Sequence, residues 1–135
     1  MTTKEDKMLL IKDLSSRLPY AVHVQHISGV SGILHDISIY HKYDENDNIY
    51  DAICYTDLFK DGDSIDIEHF KPYLFPLSSM TDNQKQEYQY ITERWMYDSS
   101  YSISDSIDWL NKNHFDYRNL IDKNLAIDAT GLNIY

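Results

Sequence analysis

Two periodicities divide the chain. Residues 8–18 (MLLIKDLSSRL) place apolar side chains at 8, 11, 14 and 18, a helical spacing. Pro19 disfavours helix at Leu18, so this spacing predicts a short helix ending near Arg17. The period then drops to two. AVHVQHI sets Val22 and Val24 against His23 and Gln25, SGVSG follows as turn chemistry, and ILHDISIYH alternates again. Ile33, His35, Ile37, Ile39 and His41 fall on one face, Leu34, Asp36, Ser38 and Tyr40 on the other, as in the two strands of a hairpin. KYDENDN reads as a polar turn, IYDAICYTDLF as a strand rich in β-branched and aromatic residues, KDGD as another turn, and SIDIEHF as a further alternating strand. Residues 20–70 therefore predict a four-stranded antiparallel meander. Short strands and polar turns of this kind suit a small barrel of the Src-homology-3 type, closed by a fifth strand from elsewhere.

Past residue 80 the helical period returns. Thr81 and Gln84 have capping-box spacing, and Tyr88, Ile91 and Trp95 recur on one stripe, predicting a helix over about 82–97. SISDSIDWLNKN, 102–113, predicts a second helix with Ile103, Ile107 and Leu110 on its apolar stripe. RNLIDKNLAID predicts a helical turn, a left-handed Asn124 and a short strand at 125–127 that joins the sheet. Between sheet and helices lies KPYLFPLSSMT, 71–81. Pro72 and Pro76 keep this stretch extended and remove two backbone donors, and Tyr73, Leu74, Phe75 and Leu77 can bury between the layers. The prolines are spaced P-x-x-x-P, which is not the spacing of a polyproline ligand. The expected fold is α+β, one domain over 1–135, mainly β over 20–78 and mainly α over 81–113.

Composition narrows the class. A chain of 135 residues with 42% hydrophobic content can fill one modest core. There is no run of about 18 apolar residues, and MTTKEDK is charged with no signal-peptide stretch behind it, so a soluble cytoplasmic protein is expected. The single cysteine, Cys54, excludes an internal disulfide and a multi-thiolate metal site within one chain. Charge is uneven. Residues 44–68 hold nine acids (Asp44, Glu45, Asp47, Asp51, Asp57, Asp61, Asp63, Asp66 and Glu68) against Lys60, so this stretch carries −8 of the chain's −10. Such a surface repels a phosphate backbone, which disfavours direct nucleic-acid binding. It attracts a basic protein, or the nucleic-acid-binding cleft of one.

Each candidate chemistry meets a simpler explanation. Six histidines (23, 26, 35, 41, 69 and 114) invite a metal, but zinc needs ligands that converge. His35 and His41 on one strand would stand about 20 Å apart, and His23 and His26 would point to opposite faces, so no metal is expected through the histidines. DLFKDGDSIDIE matches the calcium-loop pattern at Asp57, Asp61, Gly62 and Glu68, yet Phe59 and Ile65 occupy ligand positions and strands flank it; a hairpin turn with Gly62 at its tip fits better. SGVSG lacks the spacing of a nucleophile elbow. Acid pairs such as Asp61 and Asp63 have no defined separation or cleft, and no group of residues takes assignable catalytic roles. Twelve tyrosines exceed what so small a domain can bury, and half-exposed tyrosines favour an interaction surface.

Four stretches, DLSSRLPY (13–20), KPYLFPLSSMT (71–81), DWLNKNHFDYRNLI (108–121) and LAIDAT (125–130), together resemble a group of small uncharacterised proteins encoded by phages, prophages and mobile elements of gut Bacteroidales. The chain departs from that group's pattern at Ala21, Phe75 and Asn119, where glycine, arginine and glycine are expected. The resemblance implies a phage-type product acting in a bacterial cytoplasm and carries no functional residue. Taken together, these features lead to an expected non-enzymatic interaction protein that acts on a host or phage protein. Its sharper form is an acidic anti-defence inhibitor that imitates DNA phosphates through Asp44, Glu45, Asp47, Asp57, Asp61, Asp63 and Asp66. No cofactor, metal or membrane contact is expected. The rival expectations are a nucleotide-sequestering protein, with aromatic residues to stack a base, and a structural or oligomeric phage component.

Overall fold

A computed structural model describes residues 3–44, 47–56 and 65–135, with the side chains of 41–50 outside that description. The first helix, α1 (Lys4–Arg17), begins one cap earlier than the apolar spacing suggests. Thr3 and Asp6 form a reciprocal capping box: the Thr3 hydroxyl accepts from the Asp6 amide at 3.1 Å, and the Asp6 carboxylate from the Thr3 amide at 3.3 Å. The helix buries Leu10, Ile11 and Leu14. It ends at Arg17, and a single 3-10 turn over Leu18–Tyr20 leads to Ala21, whose φ of 55° is left-handed.

The expected hairpin forms. β1 (His23–His26) pairs antiparallel with β2 (Ser31–Asp44), and β2 with β3 (Asp47–Thr56), the register running from Leu34↔Thr56 to Asp44↔Asp47 with a shift between Leu34 and Asp36. The fourth strand lies elsewhere than the alternation of SIDIEHF predicts. Among the described residues, Asp66 makes an isolated bridge to Ile53, and Ile67–His69 form a single 3-10 turn around the buried Ile67. The strand is instead β4 (Phe70–Pro76), on the stretch read as an extended joint. Its consecutive residues Tyr73 and Leu74 are both buried, so it is covered on both faces and shows no polar alternation to announce it.

β4 pairs antiparallel with β1 (Val24↔Pro72), not with β3, which makes the order β3-β2-β1-β4 in place of a simple meander. The chain then forms α2 (Asp82–Arg94), capped by Thr81 and Gln84, and α3 (Ile103–Lys112), capped by Ser102 and Asp105. Two short strands, β5 (Phe115–Asp116) and β6 (Ile127–Asp128), return parallel to β4, with registers Phe75↔Phe115 and Tyr73↔Ile127. Asn124 has the expected left-handed φ, 60°. The fold is α+β: an open, mostly antiparallel six-stranded sheet with helices on either side of it in sequence, and among the described residues it does not close into a barrel.

Because alternate residues of a strand face opposite sides, β4 serves two cores. Phe70 and Leu74 join Leu10, Leu14, Val22, Val24, Leu34, Cys54 and Leu120 in the larger one; Phe75 packs with Trp109, Leu110 and Phe115 in the smaller. A buried ion network crosses between α1 and the segment after β5. Arg17 Nε donates to Asp13 Oδ2 at 2.8 Å, Arg17 Nη2 to the Phe115 carbonyl at 2.6 Å, and Arg118 Nη1 to Asp13 Oδ1 at 2.8 Å. Both guanidinium groups lie over the ring of Tyr117, at 5.2 and 4.5 Å.

Candidate functional site

Of the seven acidic residues singled out by sequence, Glu45, Asp57, Asp61 and Asp63 lie outside the described residues, as does the proposed hairpin tip at Gly62. Asp44 and Asp47 are partners at the end of the β2–β3 register, their side chains outside the description. Asp51, from the same acidic stretch, is turned inward: its carboxylate meets Lys7 Nζ at 3.4 Å and accepts from the Ala52 amide at 2.9 Å. It therefore adds little to an outer acidic surface.

Asp66 is brought to a different set of residues. It stands immediately before the 3-10 turn Ile67–His69, where residues three apart eclipse one another, so His69 comes over Asp66. A strand over the same residues would have sent Asp66 and His69 to opposite faces. Ligand atoms of Asp66, Glu68 and His69 all lie within 4.8 Å of one another. The turn is fixed by backbone bonds on three sides: the Cys54 amide donates to the Ile65 carbonyl at 2.9 Å, the His69 amide to the Asp66 carbonyl at 2.9 Å, and the Ile27 amide to the His69 carbonyl at 2.9 Å. Buried Ile67 anchors it from within. A cavity of about 230 Å³, lined by Gln25, His26, Ile27, Gly29, Glu68, His69 and Lys71, opens beside it. The imidazole ring of His26 stands edge-on to that of His69, 6.2 Å between centroids.

A second surface lies on the helices. None of the residues of α2 is buried; only Tyr88 and Ile91 pack in part against the smaller core, with the Tyr88 ring 5.5 Å from that of Trp109. Trp95, read as the third member of the inward stripe, caps the helix and is exposed. The stripe of α3 is also displaced. Leu110 is buried as expected, but its companions inside are Ser106 and Trp109, while Ile107 and Ile103 face outward. The result is a run of exposed large apolar residues from the end of α2 to the start of α3: Tyr90, Trp95, Met96 (63% exposed), Tyr97 (83%), Ile103 (66%) and Ile107. Arg94 lies over the Tyr90 ring at 4.7 Å. Acids outnumber bases along this part of the chain: from 82 to 108, Asp82, Glu87, Glu93, Asp98, Asp105 and Asp108 stand against Lys85 and Arg94. Sequence reasoning placed Trp95 on the stripe of α2 and counted Tyr90 and Tyr97 only as part of a general tyrosine excess. The triplet Trp95-Met96-Tyr97 at a helix end, with no later residue to continue its period, was the local sign of them.

The described helices include none long and apolar enough to cross a membrane. Comparison with protein-family models, with curated proteins and with solved structures finds no match to the chain.

Proposed function

We propose that this is a non-enzymatic binding protein that engages a basic or nucleic-acid-binding protein through the exposed aromatic face at the α2–α3 corner. The observation that carries the reading is the exposure of this segment: Trp95, Met96 and Tyr97 on adjacent positions at the end of α2, Tyr90 lining one cavity with Tyr97, and Ile103 and Ile107 on α3, all exposed. Aromatic residues and methionine are the types enriched at the centre of protein interfaces, and a polar rim surrounds such centres. Here the segment from 82 to 108 is acidic, and the chain's charge of −10 adds long-range attraction for a cationic partner. The resemblance to phage and mobile-element proteins makes a host or phage protein the natural partner. An acidic anti-defence inhibitor is the sharper form of this proposal.

The test is capture of partners on the immobilised chain, identification of the captured protein, and remeasurement with both components purified. The expected partner is basic, binds less tightly as salt rises from about 0.05 to about 0.5 M because screening shortens the reach of its charge, and is lost with Tyr97→Ala and Met96→Asp. A partner indifferent both to salt and to those substitutions would overturn the proposal. So would a concentration-dependent dimer that Met96→Asp dissolves, since a second copy would then be what covers the face.

A further inference from the structure

We propose that Asp66, Glu68 and His69 form a binding site for a single divalent transition-metal ion of the zinc type, independent of the interaction face. The donor set is two carboxylates and one imidazole, a combination that suits zinc and its neighbours and leaves a fourth position open. Ligand atoms bound to zinc at about 2.1 Å stand about 3.4 Å from one another. The ligand atoms of Asp66, Glu68 and His69 lie within 4.8 Å of one another, so the three side chains must draw inward on the backbone that carries them to bind the ion. That backbone is already held. Ladder-type bonds from Cys54 to Ile65 and from Ile27 to His69 tie the turn to β3 and to the end of β1, and Ile67 plugs it into the core. A site on a turn fixed this way loses little order when the ion arrives, the condition under which few ligands suffice.

Charge points the same way. Asp66 and Glu68 set two negative charges within a few ångströms, and with a neutral imidazole a divalent ion brings the sum to zero. The nearest lysine of the cavity wall, Lys71, donates its Nζ to Asn124 Oδ1 at 3.1 Å. Glu68 and His69 also line the cavity of about 230 Å³, so two of the three donors stand at an opening that can hold water or a small ligand.

The experiment uses the full chain without an affinity tag, freed of metal by chelation, and titrated with Zn²⁺ by calorimetry and with Co²⁺ by absorption spectroscopy. One ion per chain is expected, with ligand-field bands of four-coordinate cobalt. His69→Ala, Asp66→Asn and Glu68→Gln should each weaken binding more than tenfold while the circular dichroism spectrum stays that of the parent. His35→Ala, on the exposed face of β2, should change nothing. Absence of saturable binding overturns the site. Binding that His69→Ala and Glu68→Gln leave intact, or that His35→Ala reduces as much, marks adventitious surface association and overturns it equally.

Discussion

Arg118 reaches back 105 positions to donate to the Asp13 carboxylate at 2.8 Å, and that carboxylate also accepts from Arg17 at 2.8 Å. Asp13 and Arg17 are both buried, with Arg17 Nη2 bound to the Phe115 carbonyl. The network therefore joins α1 to the start of the returning strand segment, and Asp13 pairs with both cations. Its removal leaves Arg17 buried without a counter-charge among the described residues. Asp13→Ala should cost about 3–5 kcal/mol of unfolding free energy, as for other buried pairs broken from one side. Arg118→Ala should cost less, because that side chain is partly exposed and Arg17 would still hold Asp13. Urea denaturation checks both, and a loss below about 1 kcal/mol for Asp13→Ala would count against a structural role for the network.

Ala21 carries a φ of 55° directly after the 3-10 turn that ends α1. Left-handed backbone costs an L-residue with a Cβ on the order of 1 kcal/mol that glycine avoids, and part of this gain is returned as entropy of the unfolded chain. Ala21→Gly should thus stabilise the protein by about 0.5 kcal/mol. Asn119, at φ 61°, should gain less from the same change, since asparagine tolerates this region. Both positions are ones where the phage-type group is expected to carry glycine. A thermal melt in which Ala21→Gly unfolds earlier than the parent would refute the account.

Much of the fold was legible because most elements have one solvated face. α1, β1 and β2 each carry the period of their element, β3 is marked by its β-branched and aromatic residues, the capping box at Thr81 marks α2, and the apolar stripe after Ser102 marks α3. β4 was not legible. With Tyr73 and Leu74 both buried it lacks a polar face, and Pro72 and Pro76 argue against a strand unless the pairing around them is known. Ile65 and Ile67 supplied a false period two for the same reason that any single turn does: three residues are too few to distinguish a 3-10 turn from a strand. The grouping of Asp66, Glu68 and His69 was missed with it, because the strand reading sends His69 away from Asp66. The outward Ile103 and Ile107 of α3 were missed because stripe counting cannot tell which of two overlapping faces, Ile103-Ile107-Leu110 or Ser106-Trp109-Leu110, the large tryptophan will win.

Cys54 sits on β3 with no exposure, and burial pushes its thiol up to about 12. Thiolate, the reactive form, is therefore scarce at any ordinary pH, and the sulfur is also screened from reagents by the core around it. A disulfide reagent at pH 8 should label less than a few per cent of the folded chain and one equivalent after unfolding in guanidinium. The labelling rate should follow global unfolding and rise in Asp13→Ala. Rapid full labelling of the native protein would mean that β3 opens locally from the sheet.

The ring of His114 lies flat on that of Tyr135, with centroids 3.5 Å apart and 9° between planes. The Tyr135 hydroxyl in turn donates to the Tyr73 carbonyl and accepts from the His23 amide. Burial first, then the positive charge of Arg17, then His23, lower the His114 pKa from 6.5 to about 4, and its Nδ1 has no hydrogen-bond partner among the described residues. Between those two values the unfolded chain takes up a proton that the folded chain refuses. Stability from this residue is thus complete above about pH 6.5 and declines as pH falls to about 4, below which it declines no further. His114 has a left-handed φ of 63°, which asparagine can adopt, so His114→Asn removes the titration while keeping the turn. The melting temperature of the parent should drop more between pH 7 and pH 4.5 than that of His114→Asn, the carboxylates contributing equally to both curves. Parallel curves would show that the imidazole titrates alike in the folded and unfolded chains.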